Sequence, residues 1–380
     1  MYTKAQSISP WLSSIYHSLH QIPELDRNLP LTTAFVRQCL DEMHIPYRPC
    51  AGGLLAELPA SRASAPVVLL RADMDALPVT EATELPFASQ HDGCMHACGH
   101  DAHMTAALGA LHLLREESVR PAALRVMFQP AEETTGGAAA MIEEGALDGV
   151  SEALCLHVAP SVPCGCISVC AEHARAASNM FNVTLRGKGS HGAYPHTGRD
   201  VISAGAQIIA ALQTIVSRET DPLDSAVVTI GKFTAGTARN VIPEEARFEG
   251  ILRTLTPLSR EHACSRIREI AQSVAHALRV DAEVEIISGY PALINAPRVS
   301  AKVLDTAARV LGAHSALAAS APQMGVDDFA YVCQRVPSCY ADLGCALSGA
   351  APLHSPHFCL DESCLPAGAA VIAAWALEQL

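Results

Sequence analysis

Five side chains of types that bind metals lie within nine residues, 95–103: one thiol, three imidazoles and one carboxylate. His96, Cys98 and His100 alternate with two small residues, so on an extended segment they would point to the same side. From Asp101 onward the composition favours a helix, and a carboxylate in the first turn suits the helix dipole. The segment therefore predicts a corner between a strand and a helix at which ligand side chains converge.

The side-chain types in this segment indicate which metals it would bind. A thiolate beside an imidazole suits zinc, cobalt, nickel or manganese, whereas calcium and magnesium prefer oxygen ligands. Gly99 allows the backbone to come close to a ligand. A single His or Cys is more often an ordinary loop or core residue. The prediction that this segment supplies part of a metal site therefore depends on the clustering of its possible ligands.

Short apolar runs elsewhere in the first half of the chain end in polar side chains. Residues 66–73, 124–129 and 153–157 are each typical of a buried parallel strand. Active sites of open α/β sheets lie at the carboxyl ends of the strands, so these ends would face one crevice. The candidates that this convergence predicts are Asp73, Asp75, Cys98, His100, Glu132, Glu133 and His157.

The adjacent residues Glu132 and Glu133 follow the second of these runs. Neighbouring residues on a strand point to opposite faces, but in a loop one carboxylate can bind a metal while the other holds a water molecule. Alone, the pair would also suit a solvated acidic loop. The cluster at 95–103 favours the metal-site interpretation.

The length and the order of the predicted elements indicate two domains. The chain has 380 residues, more than a single core usually holds. In residues 1–175 and 288–380 strands alternate with helices, which predicts an α/β domain with a mostly parallel sheet covered by helices. Residues 176–287 follow the order β-α-β-β-α-β of a ferredoxin-like α+β fold, inserted into the first domain.

The composition argues against several classes of protein. Hydrophobic residues make up 49% of the chain and charged residues 17%, which suits a packed core rather than a disordered chain. A formal net charge of -13 argues against nucleic acid and anionic membranes as partners, because phosphate binding needs clustered Lys and Arg. The longest apolar run, around 367–377, is too short to span a bilayer.

The 14 cysteines are scattered through the chain, and the N-terminal segment has no apolar signal region. We therefore expect free thiols and a cytoplasmic protein. Cys164, Cys166 and Cys170 have neither zinc-finger nor thioredoxin spacing. The sequence assigns this group no role.

Six segments resemble, in the same order, the aminoacylase and carboxypeptidase family of dinuclear metallohydrolases. More narrowly, they resemble its hippurate hydrolase, N-acyl-amino-acid amidohydrolase and auxin-conjugate hydrolase branch. The match runs from about His20 to Glu362, and residues 19–25 are similar to the usual start of that branch. The six segments are residues 71–78, 95–103, 128–133, 189–196, 240–243 and 325–329.

The resemblance implies a site with two divalent metal ions bridged by Cys98. Glu132 would be the general base, which takes a proton from water and passes it to the leaving amine. Asp73 would orient a ligand without touching the metal. The metal stays open among zinc, manganese, nickel and cobalt. The ligands that complete the set would be His100, Glu133, His157 and His354.

Two positions depart from the pattern of more distant members, which carry His where Arg71 stands and Asp where Cys98 stands. A guanidinium does not bind a metal ion, so Arg71 removes one ligand from the set. By the resemblance, His100 would replace it.

The inserted domain would contribute the residues that hold the substrate. The resemblance implies that His191 reaches the oxyanion from the lid of a partner subunit. Asn240 and Arg253 would hold the α-carboxylate, for which the planar fork of Arg is well suited. Arg239 is a further candidate for this role. Arg253 could instead be an ordinary surface charge on a strand.

The predicted function is hydrolysis of the amide bond of small N-acyl amino acids. Closure of the lid, about 176–287, would exclude water, and a helix at 200–218 would form a homodimer or a dimer of dimers. One alternative is a dipeptidase or carboxypeptidase with the same site. Another is a non-catalytic descendant that binds amino-acid conjugates. The sequence does not specify the acyl group.

Overall fold

The structure is a computed structural model that describes residues 1–349 and 351–379. It divides into two compact units: Met1–Ala174, Ile294–Ala321 and Asp328–Leu380 form the first, and Arg175–Leu293 and Pro322–Asp327 the second. Ala350 and Leu380, the expected end of the last helix, lie outside the described residues.

The short segment Pro322–Asp327 differs from the sequence-based expectation, which placed it in the larger domain. It belongs to the second unit, because the amide of Ala176 donates a hydrogen bond to the carbonyl of Gly325 at 2.9 Å. The other domain boundaries of the structure differ from the expected positions by only a few residues.

The first part of the chain builds most of the larger sheet and its covering helices. Helix α4 begins at His100, within the segment 95–103. The helices are α1 (Tyr2–Ser7), α2 (Ser9–His20), α3 (Pro30–Glu42), α4 (His100–Arg115) and α5 (Ala138–Glu143), and the strands are β1 (Tyr47–Cys50), β2 (Gly53–Leu58), β3 (Val67–Asp73), β4 (Ala123–Gln129), β5 (Val150–Ala159), β6 (Ile167–Val169) and β7 (His173–Arg175).

The second unit has a four-stranded antiparallel sheet in the order β10-β12-β8-β13, with a separate two-stranded pair, β9 and β11. Along the chain its main elements follow the order β-α-β-β-α-β of the ferredoxin-like arrangement. The elements are β8 (Ala177–Arg186), β9 (Ser190–His191), a 3-10 helix (Pro195–Thr197), α6 (Val201–Thr214), a π-helix (Ile215–Glu219), β10 (Ala226–Ala235), β11 (Val241–Ile242), β12 (Glu245–Thr254), α7 (Pro257–Ala277) and β13 (Asp281–Ser288).

The chain then returns to the first unit and completes its sheet. The last helix is buried on all sides, including Trp375, which is why its sequence shows no amphipathic pattern. The elements are β14 (Leu293–Ile294), α8 (Pro297–Leu311), a 3-10 helix (Ala313–Ser315), β15 (Ala316–Ala318), α9 (Ala330–Cys333), β16 (Ser338–Gly344), a 3-10 helix (Glu362–Cys364) and α10 (Leu365–Leu377).

The larger sheet has eight strands in the order β1-β2-β4-β3-β5-β16-β6-β15. Four of its seven pairings are parallel, including those among the central strands β4, β3, β5 and β16. This confirms the predicted α/β class with a mostly parallel sheet covered by helices. The sequence analysis missed β16, because its seven residues include Tyr340 and Asp342 and do not stand out as an apolar run.

By length and composition alone, the helical stretch Val201–Glu219 could cross a membrane, a point that the sequence analysis missed. The side chain of Asp200 caps its N-terminus, accepting hydrogen bonds from the amides of Ile202 and Ser203 at 2.9 and 3.1 Å. One face of the stretch is buried in the core of the second unit, as in an amphipathic helix of a globular domain. The buried residues on this face are Val201, Ala204, Ile208, Leu212 and Ile215.

Candidate metal centre

The start of α4 sets the geometry of the site. Gly99 precedes the helix with a φ of 78°, a backbone conformation that favours glycine, and residues 96–99 form a turn rather than the expected strand. His96 therefore does not alternate with Cys98. Its ring is buried with no hydrogen-bond partner among the residues that the structure describes, and burial lowers its pKa to about 4.

His100 directs one ring nitrogen into the site. Its Nδ1 donates to the carbonyl of Asp75 at 2.7 Å, so a neutral ring has its lone pair on Nε2. Nε2 is buried with no hydrogen-bond partner within the described part of the chain. It lies 3.9 Å from Oε1 of Glu133 and 4.0 Å from Oε2 of Glu132. A buried nitrogen facing carboxylates is suited to holding a cation between them.

His157 and Cys98 lie next to each other. His157 Nδ1 donates to the carbonyl of Val158 at 2.8 Å, and its Nε2 lies 3.6 Å from Cys98 Sγ. Burial lowers the pKa of His157 and raises that of Cys98. In the absence of a metal, burial therefore favours the neutral forms of both groups, and a metal ion would displace the thiol proton.

Glu133 and His354 complete the group of predicted ligands. His354 Nε2 lies 3.2 Å from Glu133 Oε1, and the backbone amide of His354 donates to the carbonyl of Ala97 at 2.8 Å. Ligand atoms of Cys98, Glu133 and His354 lie within 4.8 Å of one another, as do those of His100, Glu132 and Glu133. The structure thus brings all five predicted ligands together.

The donor atoms fit a transition-metal site. A buried nitrogen on His100 has no hydrogen-bond partner among residues 1–349 and 351–379, and the carboxylate of Glu133 and the buried thiol of Cys98 lie in the same group of side chains. Such an unpaired nitrogen is costly unless something coordinates it. A mixed set of sulfur, nitrogen and oxygen donors favours zinc, manganese, nickel or cobalt over calcium or magnesium.

Asp73 holds two side chains beside the predicted ligands in place, those of His103 and Arg71. Its carboxylate accepts hydrogen bonds from His103 Nδ1 and from Arg71 Nη1, both at 2.5 Å. The other nitrogen of His103 accepts from the amide of Val158 at 2.8 Å, so neither nitrogen of His103 is left for a metal. Burial opposes the charge of Asp73, but Arg71 and the nearby imidazoles outweigh this effect and hold its pKa well below the usual value.

Asp75 positions both glutamates, a role that the sequence analysis missed. Its Oδ1 accepts from the amide of Glu132 at 3.0 Å and its Oδ2 from the amide of Glu133 at 3.1 Å. Its carbonyl also accepts the hydrogen bond from His100. The one available signal was that Asp75 lies two residues after Asp73, beyond the carboxyl end of β3.

The second unit contains the three remaining predicted residues. His191 and Asn240 are neighbours, because β9 pairs with β11 and the amide of Gly192 donates to the carbonyl of Asn240 at 2.8 Å. Arg253 lies near the far end of β12, roughly 26 Å along an extended strand from Glu245. The expected roles of Asn240 and Arg253 at the α-carboxylate of the substrate stay predictions.

The comparison with known proteins assigns the family. The model of the peptidase family M20/M25/M40 matches residues 69–378, which is most of the chain and includes every predicted site residue. The chain belongs to this family. The assignment confirms the resemblance noted in the sequence.

Individual M20 proteins match over nearly the whole chain. An N-acetyl-L-cysteine deacetylase of Bacillus subtilis is 40% identical over 93% of this chain and 84% of its own length. The IAA-amino acid hydrolase ILR1-like 2 of Arabidopsis thaliana is 35% identical over 100% of this chain and 87% of its own. A solved dinuclear metal-binding M20 peptidase of Bacillus subtilis is 32% identical, with a TM-score of 0.86 over 99% of this chain and 100% of its own.

Proposed function

We propose that this M20 protein is a metal-dependent amidohydrolase that cleaves small N-acyl amino acids into a carboxylic acid and a free amino acid. The observation that carries the proposal is the convergence of five ligand side chains beside the buried carboxylate of Glu132. The relatives named as a deacetylase of N-acetylcysteine and as a hydrolase of IAA-amino acids support the same class of substrate.

The proposed cofactor is a pair of divalent cations. When bound, they would lower the pKa of a water molecule and polarise the amide carbonyl of the substrate. The name of the dinuclear M20 peptidase supports the number of ions, and the donor set leaves the choice among zinc, manganese, nickel and cobalt open. The residues that would hold them are Cys98, His100, Glu133, His157 and His354.

Glu132 is the proposed general base. Its side chain is 8% exposed, and the hydrogen bond from its backbone amide to Asp75 fixes its position. We expect its carboxylate to take a proton from the attacking water and to return that proton to the leaving nitrogen. The burial of the carboxylate would limit exchange of this proton with bulk water.

Replacing Glu132 tests the proposed mechanism. Glu132→Gln keeps the shape of the side chain but not its basicity, so we expect turnover to fall by about 10²- to 10⁴-fold while metal content is unchanged. Activity would be measured on N-acetyl, N-benzoyl and N-indoleacetyl amino acids, and metal content by elemental analysis.

Two further variants separate the roles of the neighbouring glutamates. Glu133→Gln should lose metal as well as activity, because it removes a proposed ligand. Glu143→Gln, at an exposed position at the end of α5, should change neither quantity. Full activity of the Glu132→Gln variant would reject Glu132 as the general base. If chelation still abolished activity in that case, the proposed requirement for a metal would stand.

The proposed substrate contacts of the second unit are His191, which would donate a hydrogen bond to the developing oxyanion, and Asn240, which would hold the α-carboxylate. We further propose that the protein is a homodimer, formed through α6, in which the partner subunit's His191 serves each site. Both residues are exposed in the described chain, which leaves them available for such contacts.

A mixed dimer tests the contribution from the partner subunit. We would combine Glu132→Gln with His191→Ala, each inactive alone, and allow their subunits to exchange. If His191 acts across the dimer, half of the dimers are mixed and each has one intact site, so activity should return to roughly a quarter of the wild-type value. No recovery after proven exchange, or full activity of a monomer by light scattering, would overturn the proposal.

A dipeptide is the alternative substrate, favoured by the description of the solved M20 relative as a peptidase. It differs from an N-acyl amino acid by a charged amine on the acyl side. Rates on glycyl and acetyl derivatives of the same amino acid, measured side by side, would separate the two. Metal binding without turnover on any amide would instead indicate a protein that binds conjugates without cleaving them.

A reducing cytoplasm is the proposed location. The structure shows all 14 cysteines as free thiols, which is usual for proteins of reducing compartments. Measuring the activity in cell fractions would test this assignment.

A further inference from the structure

The loop that contains both proposed functional glutamates, residues 130–137, joins β4 to α5, and its two ends lie against each other. The amide of Gly136 donates to the carbonyl of Ala131 at 2.8 Å. A Cβ atom on Gly137 would lie only 2.1 Å from the carbonyl oxygen of Pro130, so this close approach requires glycine. The position of the glutamates therefore depends on what holds the ends of the loop.

One carboxylate, that of Asp328, binds both ends of this loop. Its Oδ1 and Oδ2 accept hydrogen bonds from Nε2 of Gln129, the last residue of β4, at 2.8 and 2.9 Å. Its Oδ2 also accepts from the amide of Ala138, the first residue of α5, at 2.8 Å. Asp328 is fully buried and belongs to the segment 325–329, for which the sequence indicates no role.

The guanidinium of Arg71 holds Asp328 in this position. Its Nη2 donates to Oδ1 of Asp328 at 3.0 Å, and its Nε donates to Oε1 of Gln129 at 3.0 Å. Because Arg only donates hydrogen bonds and a carboxylate only accepts them, these contacts also fix the side-chain amide of Gln129, with its oxygen towards Arg71 and its nitrogen towards Asp328. Nη1 of the same guanidinium donates to Asp73, so one buried cation connects Asp328 with the carboxylate that holds His103.

We propose that Asp328 is a positioning residue for the proposed hydrolysis, because it fixes the loop that places the carboxylate of Glu132 beside the metal ligands. Asp328 acts on the reaction through Glu132 and contacts neither substrate nor metal ion, so this role rests on the proposed function. The same contacts give a role to Arg71, which the sequence marked only as a missing ligand. Its charge balances two buried carboxylates, those of Asp73 and Asp328, which would otherwise be costly to bury.

Direct binding of a metal ion by Asp328 is the competing interpretation, because one of its carboxylate oxygens lies within 4.8 Å of an oxygen of Glu132. Each oxygen of Asp328, however, accepts two hydrogen bonds, one of them from Gln129. The second donor is Arg71 for Oδ1 and the amide of Ala138 for Oδ2. A carboxylate oxygen has about two acceptor positions, so these donors occupy the carboxylate and favour a positioning role.

Asp328→Asn tests this role, because Asn has one acceptor oxygen in place of two and turns an N–H group towards one of the donors. We expect kcat for an N-acetyl amino acid to fall by about 10- to 100-fold with KM unchanged, measured on the metal-loaded full-length protein below its Tm. The amide hydrogens of residues 130–137 should exchange faster than in the wild type. Asp305→Asn, at an exposed position of α8, is the matched control and should change none of these quantities.

Exchanging the two groups across the contact provides a rescue. Combining Gln129→Glu with Asp328→Asn moves the carboxylate to position 129 and the amide to position 328, so a hydrogen bond between them and a negative charge beside Arg71 remain. We expect kcat to recover by about tenfold relative to Asp328→Asn alone. A purely structural role of Asp328 would lower the Tm without changing the kcat of the loaded protein, and that result would overturn the proposal.

Failure of this role differs from failure of the proposed function. A wild-type protein that cleaves no amide would refute the proposed function, and with it the effect of Asp328 on the reaction. An active wild type with unchanged kcat and loop exchange in Asp328→Asn would refute only the role of Asp328. If Asp328→Asn does not fold, Gln129→Met removes the attachment at one end of the loop and keeps the ion pair between Arg71 and Asp328. It should also lower kcat, and an unchanged kcat in that variant would overturn the proposal.

Discussion

The lone pairs of two imidazoles are directed by hydrogen bonds on the opposite side of each ring. His100 and His157 both donate from Nδ1 to a backbone carbonyl, which leaves Nε2 of a neutral ring free to bind a metal. His103 uses both of its nitrogens in hydrogen bonds. Whether each of these histidines can bind a metal therefore depends on the hydrogen-bond partners that its ring finds in the fold.

Asp75 should be as important as a ligand although it does not face the metal. Its two carboxylate oxygens each accept a backbone amide, from Glu132 and Glu133, and Asn offers only one acceptor oxygen. We expect Asp75→Asn to weaken metal binding by about 10- to 100-fold, measured by metal titration of the apoprotein. Asp92→Asn, at an exposed position, is the control, and an unchanged affinity in Asp75→Asn would contradict this role.

At the scale of elements, α4 is fixed to α2 by a buried ion pair. His20, the last residue of α2, lies with its Nδ1 2.6 Å from Oδ2 of Asp101 and its Nε2 3.3 Å from Oε1 of Glu81. Burial would lower the pKa of His20, but the hydrogen bonds to Asp101 and Glu81 outweigh it and raise the pKa to about 10. The interaction thus anchors the helix turn that begins with His100.

This pair predicts a dependence of stability on pH. Because the pKa of His20 in the folded protein, about 10, exceeds the ordinary histidine value of 6.5, its stabilising effect is complete below pH 6.5 and is lost as the pH rises through 10. His20→Gln should therefore lower the free energy of unfolding by about 2 kcal/mol at pH 6. The difference in the free energy of unfolding between the variant and the wild type, measured by urea unfolding, should shrink towards pH 10. A difference that stays constant with pH would argue against a charged His20.

At the scale of the whole molecule, the proposed metal pair would connect separate parts of the first unit. Its ligands come from the turn before α4, the first residue of α4, the loop after β4, strand β5 and the segment before α10. A ligand that binds only the folded state stabilises it by mass action, by about 2.7 kcal/mol at a hundredfold excess over Kd. Removal of the metal should thus lower the Tm by several degrees.

Calorimetry of the loaded and chelated protein would measure this shift. Readdition of zinc or manganese should restore the Tm, whereas calcium should not, because the donor set includes a thiolate. An identical Tm with and without metal would show that the ions do not connect these segments.

The sequence by itself determined the class of fold, and its resemblance to a known family supplied the full set of candidate ligands. Apolar runs that end in polar residues specify buried parallel strands, and the carboxyl ends of parallel strands share one edge. The positions of Glu133 and His157 near that edge follow from this rule, and Cys98 stands out through the cluster of possible ligands at 95–103. These features are local, so periodicity and spacing along the chain reveal them.

Only the tertiary structure decided which of the candidates support the site rather than form it. The roles of Asp75 and His103 depend on hydrogen bonds to residues from other elements. Sequence spacing does not determine such contacts, because they are set by how the elements pack.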